Sequence, residues 1–278
     1  MEKVTDWTKL WRELAEAQSK RWHKKDDSDD HWRKKARGFD QLVKERWMAG
    51  TDSSREFVVA QLKAHPDSTV LDIGAGTGAW TVLMARHARH VTAVEPSGAM
   101  VEVMEENLVA AGITNVEIVQ QKWPEAEVEP HDFSLCSHAM YGCLDFPAFV
   151  GRMVEITRRM CLLVLRAPIN GSVMAEAAMR VWGQPYDSPN FQVAYNALLQ
   201  MDVFPNVLME DTGLWDPWTN ASFDAALAEV KQRLCLEQDS EHDEFLVNLL
   251  RRRLTHENDQ CVWPRGVLSA LVYWNVTN

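Results

Sequence analysis

The stretch VLDIGAGTGAW, residues 70–80, constrains this chain more than any other. A short apolar, β-rich run enters a turn with glycines at 74, 76 and 78, and a helix leaves it near Ala79. Such a turn lets a ligand approach the backbone closely and sets the N-terminus of the following helix against it. Two spacings coexist. Gly74-x-Gly76-x-Gly78 suits one class of nucleotide-like ligand, and Gly74-x-Gly76-x-x-Ala79 suits the pyrophosphate of a dinucleotide.

The flanking pattern supplies the frame. Strands are expected at 69–74, 90–97, 115–120, 132–138 and 161–168, with helices at about 79–88, 98–111 and 146–158 between them. Strands that are apolar throughout and alternate with helices indicate a parallel sheet covered on both faces. Before the sheet, Trp7, Leu10, Trp11 and Leu14 share one helical face, as do Trp32, Ala36, Phe39, Val43 and Trp47. The charged run at 24–30 reads as a solvated turn, and a third helix is expected from Ser53 or Ser54 to about His65. Beyond Pro168, helices are expected at 172–182, 191–201, 222–236 and 241–255, and strands at 206–211 and 267–274. The organisation expected is a helical segment over 1–65 and an α/β domain over 66–278, with helical insertions at about 169–205 and 215–260.

Composition narrows the function. Lys and Arg number 29 against 40 Asp and Glu, a net charge of −11, which repels a phosphate backbone and disfavours broad nucleic-acid binding. Five cysteines at irregular spacing, with no CxxC pair, suit reduced thiols and neither a disulfide frame nor a zinc knuckle. The charged start has no apolar signal core, and no apolar run reaches the roughly 20 residues of a membrane span. A soluble, cytoplasmic protein with no membrane contact is expected. Twelve tryptophans are the compositional oddity; each is read first as core packing, and together as aromatic walls for a pocket.

Three features beside the glycines discriminate between ligands. Asp72, two residues before Gly74, suits an ammonium group and opposes a pyrophosphate. Glu95 ends the second strand, where an acid can accept both ribose hydroxyls. Lys122 and Trp123 follow the third strand, where an adenine edge would lie. With these, VLDIGAGTG, VTAVEPS, VEIVQQKWPE and FSLCSHAMY resemble the ordered motifs of class I S-adenosylmethionine-dependent methyltransferases over residues 66–168. The resemblance implies a Rossmann-like, seven-stranded, mostly parallel sheet with its last strand antiparallel. It also implies S-adenosylmethionine as cofactor, with S-adenosylhomocysteine as product. Gly74, Ala75, Gly76 and Gly78 would then line the methionine and ribose side, and Glu95 would hold the ribose. Pro96, Ser97 and Met100 would flank the adenine opposite Lys122 and Trp123, a pair that departs from the family's usual small or acidic residues. Asp72 and Ser137 complete the expected cofactor set.

Methyl transfer is an in-line displacement that depends on positioning and exclusion of water. His138 and Tyr141 stand at the end of the fourth strand, facing the ligand crevice, and His138 is the candidate general base. The segment SHAM lacks the Asn/Asp-Pro-Pro-aromatic motif of nucleic-acid amino-methyltransferases, which points to a small-molecule acceptor or a protein side chain. Trp32, Tyr195 and Trp218 are candidate acceptor contacts. Asp132 and Asp145 flank the fourth strand, and no metal-ligand cluster is expected. Two alternatives stay open: an NAD-linked oxidoreductase, and a non-catalytic partner that binds S-adenosylmethionine.

Overall fold

The computed structural model describes residues 5–22, 28–210 and 218–276, and of residues 21, 22 and 28–32 the backbone alone. Three helices come first: α1 (Trp7–Trp22), α2 (Ser28–Met48) and α3 (Ser53–Ala64). The alternating unit follows as β1 (Thr69–Ile73), α4 (Ala79–Ala85), β2 (His90–Val94), α5 (Gly98–Ala111), β3 (Val116–Val119), β4 (His131–Ser137), α6 (Phe146–Glu155) and β5 (Thr157–Pro168). The remainder is α7 (Val173–Trp182), α8 (Phe191–Gln200), β6 (Asn206–Glu210), β7 (Thr219–Asn220), α9 (Phe223–Arg233), α10 (Asp243–Arg253), β8 (Thr255–Glu257), β9 (Gln260–Val262) and β10 (Val267–Asn275).

Seven strands form one sheet in the order β3-β2-β1-β4-β5-β10-β6. The pairs of β1 with β2 and β4, of β2 with β3 and of β4 with β5 are parallel; β10 runs antiparallel to both β5 and β6. This is the expected Rossmann-like sheet. Its last strand in sequence is antiparallel and lies inside the sheet, with β6 on the edge. A second sheet, β7-β9-β8, was not legible beforehand: its strands have two or three residues, too few to show a period.

Both faces of the main sheet are covered. Val58 and Leu62 of α3 and Met84 of α4 pack with Val70, Phe133, Leu162 and Leu271 on one face. On the other, Trp11 and Leu14 of α1, Phe146, Phe149 and Met153 of α6, and Val193 and Ala197 of α8 pack with Leu71, Ile73, Leu163 and Leu165. Side-chain caps fix several helix starts: Asp52 accepts from the Arg55 N–H, Asp145 from Ala148 and Ser172 from Ala175. β5 begins at Thr157, four residues before the expected start, because the Thr157 hydroxyl bonds both Ser134 Oγ and the Met153 carbonyl inside the core. The exposed Arg158 and Arg159 hide this in the sequence. Among the described residues no helix is long and apolar enough to cross a membrane, and all five cysteines are free thiols.

Trp11 ties α1 to this frame. It is fully buried, its indole N–H donates to the Cys143 carbonyl at 2.8 Å, and its ring lies 4.3 Å from that of Phe146. Trp11→Ala leaves a large void and an unpaired carbonyl, so a loss of about 3–5 kcal/mol is expected. Urea unfolding followed by circular dichroism checks this; a loss below about 1 kcal/mol would show that α1 is only loosely docked.

Candidate functional site

Strand β1 delivers the glycine turn to the carboxyl edge of the sheet. Gly74 has φ +70°, and a Cβ there would run into the Cβ of Ala139, so only glycine lets the turn pass the end of β4. The N–H groups of Gly74 and Ala75 both donate to the Val94 carbonyl, at 2.8 and 3.1 Å. Gly76 has φ +58°, and its N–H donates to Glu95 Oε2 at 2.8 Å. A Cβ at Gly76 would meet nothing nearer than Phe39 Cε1 at 4.0 Å and would project into open space.

Two buried carboxylates flank this turn. Asp72 accepts from Thr81 Oγ1 at 2.6 Å, and burial, reinforced by the charge of Glu95, pushes its carboxyl up to about 7. Glu95 is 7% exposed, and burial raises its carboxyl too, against the pull of the Ser97 and Gly76 N–H groups. Oε1 accepts from Ser97 at 2.9 Å and Oε2 from Gly76. Each oxygen therefore keeps acceptor capacity for one more donor.

The end of β4 is pinned differently. His138 has φ +56°, its N–H donates to the Val164 carbonyl, and its Nδ1 lies 2.9 Å from Tyr141 Oη. Tyr141 Oη also accepts the Arg166 N–H at 2.6 Å, and the Arg166 guanidinium sits 4.1 Å over the Tyr141 ring. Burial, with the Arg166 charge behind it, pushes His138 down to about 3, so the imidazole is neutral at neutral pH.

Two cavities meet along this edge. A cleft of about 830 Å³ and a recess of about 190 Å³ share Phe39, Gly74, Gly76, Ser137 and His138 as walls. Glu95, Pro96, Met100, Lys122 and Trp123 line the cleft, while Asp72 and Ala75 line the recess. The remaining sequence candidates stand elsewhere. Ser97 is buried with its N–H on Glu95 and lines neither cavity. Gly78 begins α4, with a virtual Cβ 2.6 Å from Met104 Cγ, and opens on a separate recess beside Val82. Tyr141 lies beneath His138 and reaches the cavities only through it. Tyr195 rests against Phe191 on α8, with ring centroids 5.7 Å apart, outside both cavities. Trp218 is exposed, donates to Glu229 and borders a third cavity with Trp263 and Arg166. The side chain of Trp32 and residues 211–217 lie outside the described residues. Asp145 borders the cleft, whereas Asp132 sits at the opposite end of β4, where it accepts from the Thr69 N–H. Among the described residues no group of His, Cys, Asp and Glu side chains is placed to hold a metal ion.

The recess also takes Trp47, Trp80, Asp52, Ser54, Ser269 and Glu210. Trp47 belongs to a helical face legible in the sequence, where it reads as packing. Ser269 and Glu210 carried no signal, because they become neighbours only when β10 pairs with β6.

Residues 70–160 match a family model described as a methyltransferase domain. Over 119 residues the chain is 24% identical to "Probable ribosomal RNA small subunit methyltransferase A" of Methanosphaera stadtmanae, covering 39% of this chain and 44% of that one. Over 138 residues it is 23% identical to the malonyl-[acyl-carrier protein] O-methyltransferase of Serratia marcescens, covering 50% and 51%. The chain thus spans about half the length of these curated relatives. The crystal structure of the YcgJ protein from Bacillus subtilis shares the fold, with a TM-score of 0.52 at 16% identity over 79% of this chain and 96% of that one.

The raised carboxyl of Asp72 makes stability depend on pH. Its proton is held more tightly in the fold, at about 7, than at the ordinary 3.8, so its stabilising contribution is complete below about 3.8 and is lost as pH rises through about 7. Asp72→Asn removes that loss. The melting temperature of the variant minus that of the wild type should grow by several degrees between about pH 5 and about pH 8. A constant difference would mean that Asp72 titrates normally.

Proposed function

We propose that this chain, which carries a methyltransferase domain of the class I S-adenosylmethionine-dependent family, moves a methyl group from S-adenosylmethionine to a small-molecule acceptor. The observation that carries the reading is Glu95. It is buried at the end of β2, tied by one N–H on each oxygen, and still able to accept two hydroxyls from the cleft side. Gly76, whose N–H meets Glu95, lines the same cleft. Asp72 offers a carboxylate to an ammonium group, and Pro96, Met100 and Trp123 offer apolar surface to a purine.

Bound there, S-adenosylmethionine would supply an electrophilic methyl group on a sulfonium. The chain's own work is positional. The glycine turn and Glu95 hold one reactant in a fixed pose, and Phe39 walls both cavities where they meet. His138 stands at that junction as a neutral imidazole, oriented by Tyr141. At about 3 it is a weak base, so its part is to align the acceptor rather than to gain a proton from it. The small size of the recess and the net charge of −11 favour a small acceptor over a polynucleotide.

Calorimetric titration with S-adenosylhomocysteine, with NADH as the control, tests the donor. Binding to the wild type should weaken roughly tenfold or more in Glu95→Ala, and NADH should not bind. Binding of NADH alone would establish the dinucleotide reading instead. Transfer of labelled methyl groups into the small-molecule fraction of a cell extract, and not into its RNA or protein, is the outcome expected for the acceptor. Label in ribosomal RNA would overturn that half of the reading.

A further inference from the structure

The recess beside the cleft has a one-sided charge. Asp52, Asp72 and Glu210 line it, and among the described residues no lysine or arginine does. Asp52 is neutralised by Arg55, whose Nε donates to it at 2.6 Å, and Asp72 stands at the glycine turn. Glu210 differs from both. It ends β6, is 6% exposed, and its Oε2 accepts from the Ser53 hydroxyl and from the Ser54 N–H at 3.2 Å, at the start of α3. Its Oε1 has no hydrogen-bond partner and no cation among the described residues. The neighbouring Ser54 is 3% exposed, and its hydroxyl is buried with no partner among the described residues. An unsatisfied buried hydroxyl is costly. The N-terminus of α3 accounts for Oε2 of Glu210, leaves Oε1 with acceptor capacity at the wall of the recess, and leaves the serine hydroxyl unexplained.

We propose that Glu210 and Ser54 form a cation-recognition subsite that anchors a protonated amine of the acceptor, with Trp47, Trp80 and Phe39 walling the rest of the recess. This rests on the methyl-donor reading of the adjoining cleft. Glu210 stands on β6, three strand spacings from β4, which delivers His138, or about 14 Å from backbone to backbone. A protonated amine has no lone pair with which to attack a methyl group. Its charge therefore suits an anchor, while a different atom of the same molecule reaches the junction at His138. The acceptor is an elongated amine. Carboxylate and phosphate compounds are rejected by like charge, and the indole faces tolerate a cation.

The test uses the full chain saturated with S-adenosylhomocysteine and three probes of one length: n-hexylammonium, 1-hexanol and hexanoate. The ammonium should bind, and the other two should bind more weakly. Glu210→Gln should weaken the ammonium roughly tenfold or more, and Ser54→Ala several-fold, with affinity for S-adenosylhomocysteine unchanged in both. Equal binding of the three probes, absence of ammonium binding, or unchanged ammonium affinity in both variants overturns the proposal. A parallel loss of S-adenosylhomocysteine affinity in Glu210→Gln would mark that residue as a structural cap of α3 and also overturn it. If Glu210→Gln does not fold, Ser54→Ala decides alone. Glu210-dependent ammonium binding by a chain that ignores S-adenosylhomocysteine would refute the donor reading and leave this subsite standing.

Discussion

The close approach of Gly74 to Ala139 is the constraint on which the site depends. The ends of β1 and β4 can converge only because Gly74 brings no side chain against the Cβ of Ala139. With that convergence in place, the turn's N–H groups fall on the Val94 carbonyl and on Glu95, so β2 is drawn into the same structure. Three parallel strands thus end in one hydrogen-bonded assembly instead of three independent loops. The cleft and the recess lie on either side of it and share its glycines as a wall.

That assembly concentrates negative charge where the dielectric is low. Asp72 and Glu95 are both buried, both raised, and they oppose each other. Folding tolerates them because hydroxyl and N–H donors meet their oxygens, and among the described residues no fixed cation neutralises either. A site of this kind is stabilised by a positively charged ligand and gains little from an anionic one. Glu210 adds a buried carboxylate farther along the recess.

The N-terminal helices complete the enclosure. α2 contributes Phe39, Val43 and Trp47, and the start of α3 contributes Asp52 and Ser54. Trp47 meets Trp80 edge to face at 5.4 Å and carries the Arg55 guanidinium 4.8 Å over its ring, so the wall is held by aromatic and cation–π contacts to the glycine-turn helix and to α3. α1 sits on the opposite face of the sheet, fixed by Trp11.

The sheet's parallel core, the glycine turn and the acid at the end of β2 are legible in the residues alone. These depend on short-range patterns: apolar runs of strand length, glycines at fixed offsets, and a carboxylate one strand later. The sequence also places Lys122, Trp123 and Ser137 at strand ends, where a cleft must form. Tertiary structure decided what periodicity cannot carry. Gly78 turned toward Met104, and Ser97 was enclosed behind Glu95. Trp218 went to another cavity, and Tyr195 was placed against Phe191 on α8. Ser269 and Glu210, 59 positions apart, became direct partners through antiparallel pairing. The physical reason is range. A turn is set by its own dihedral angles, whereas the far wall of a pocket is set by which strands pair and in what register, and no local window of residues contains that information.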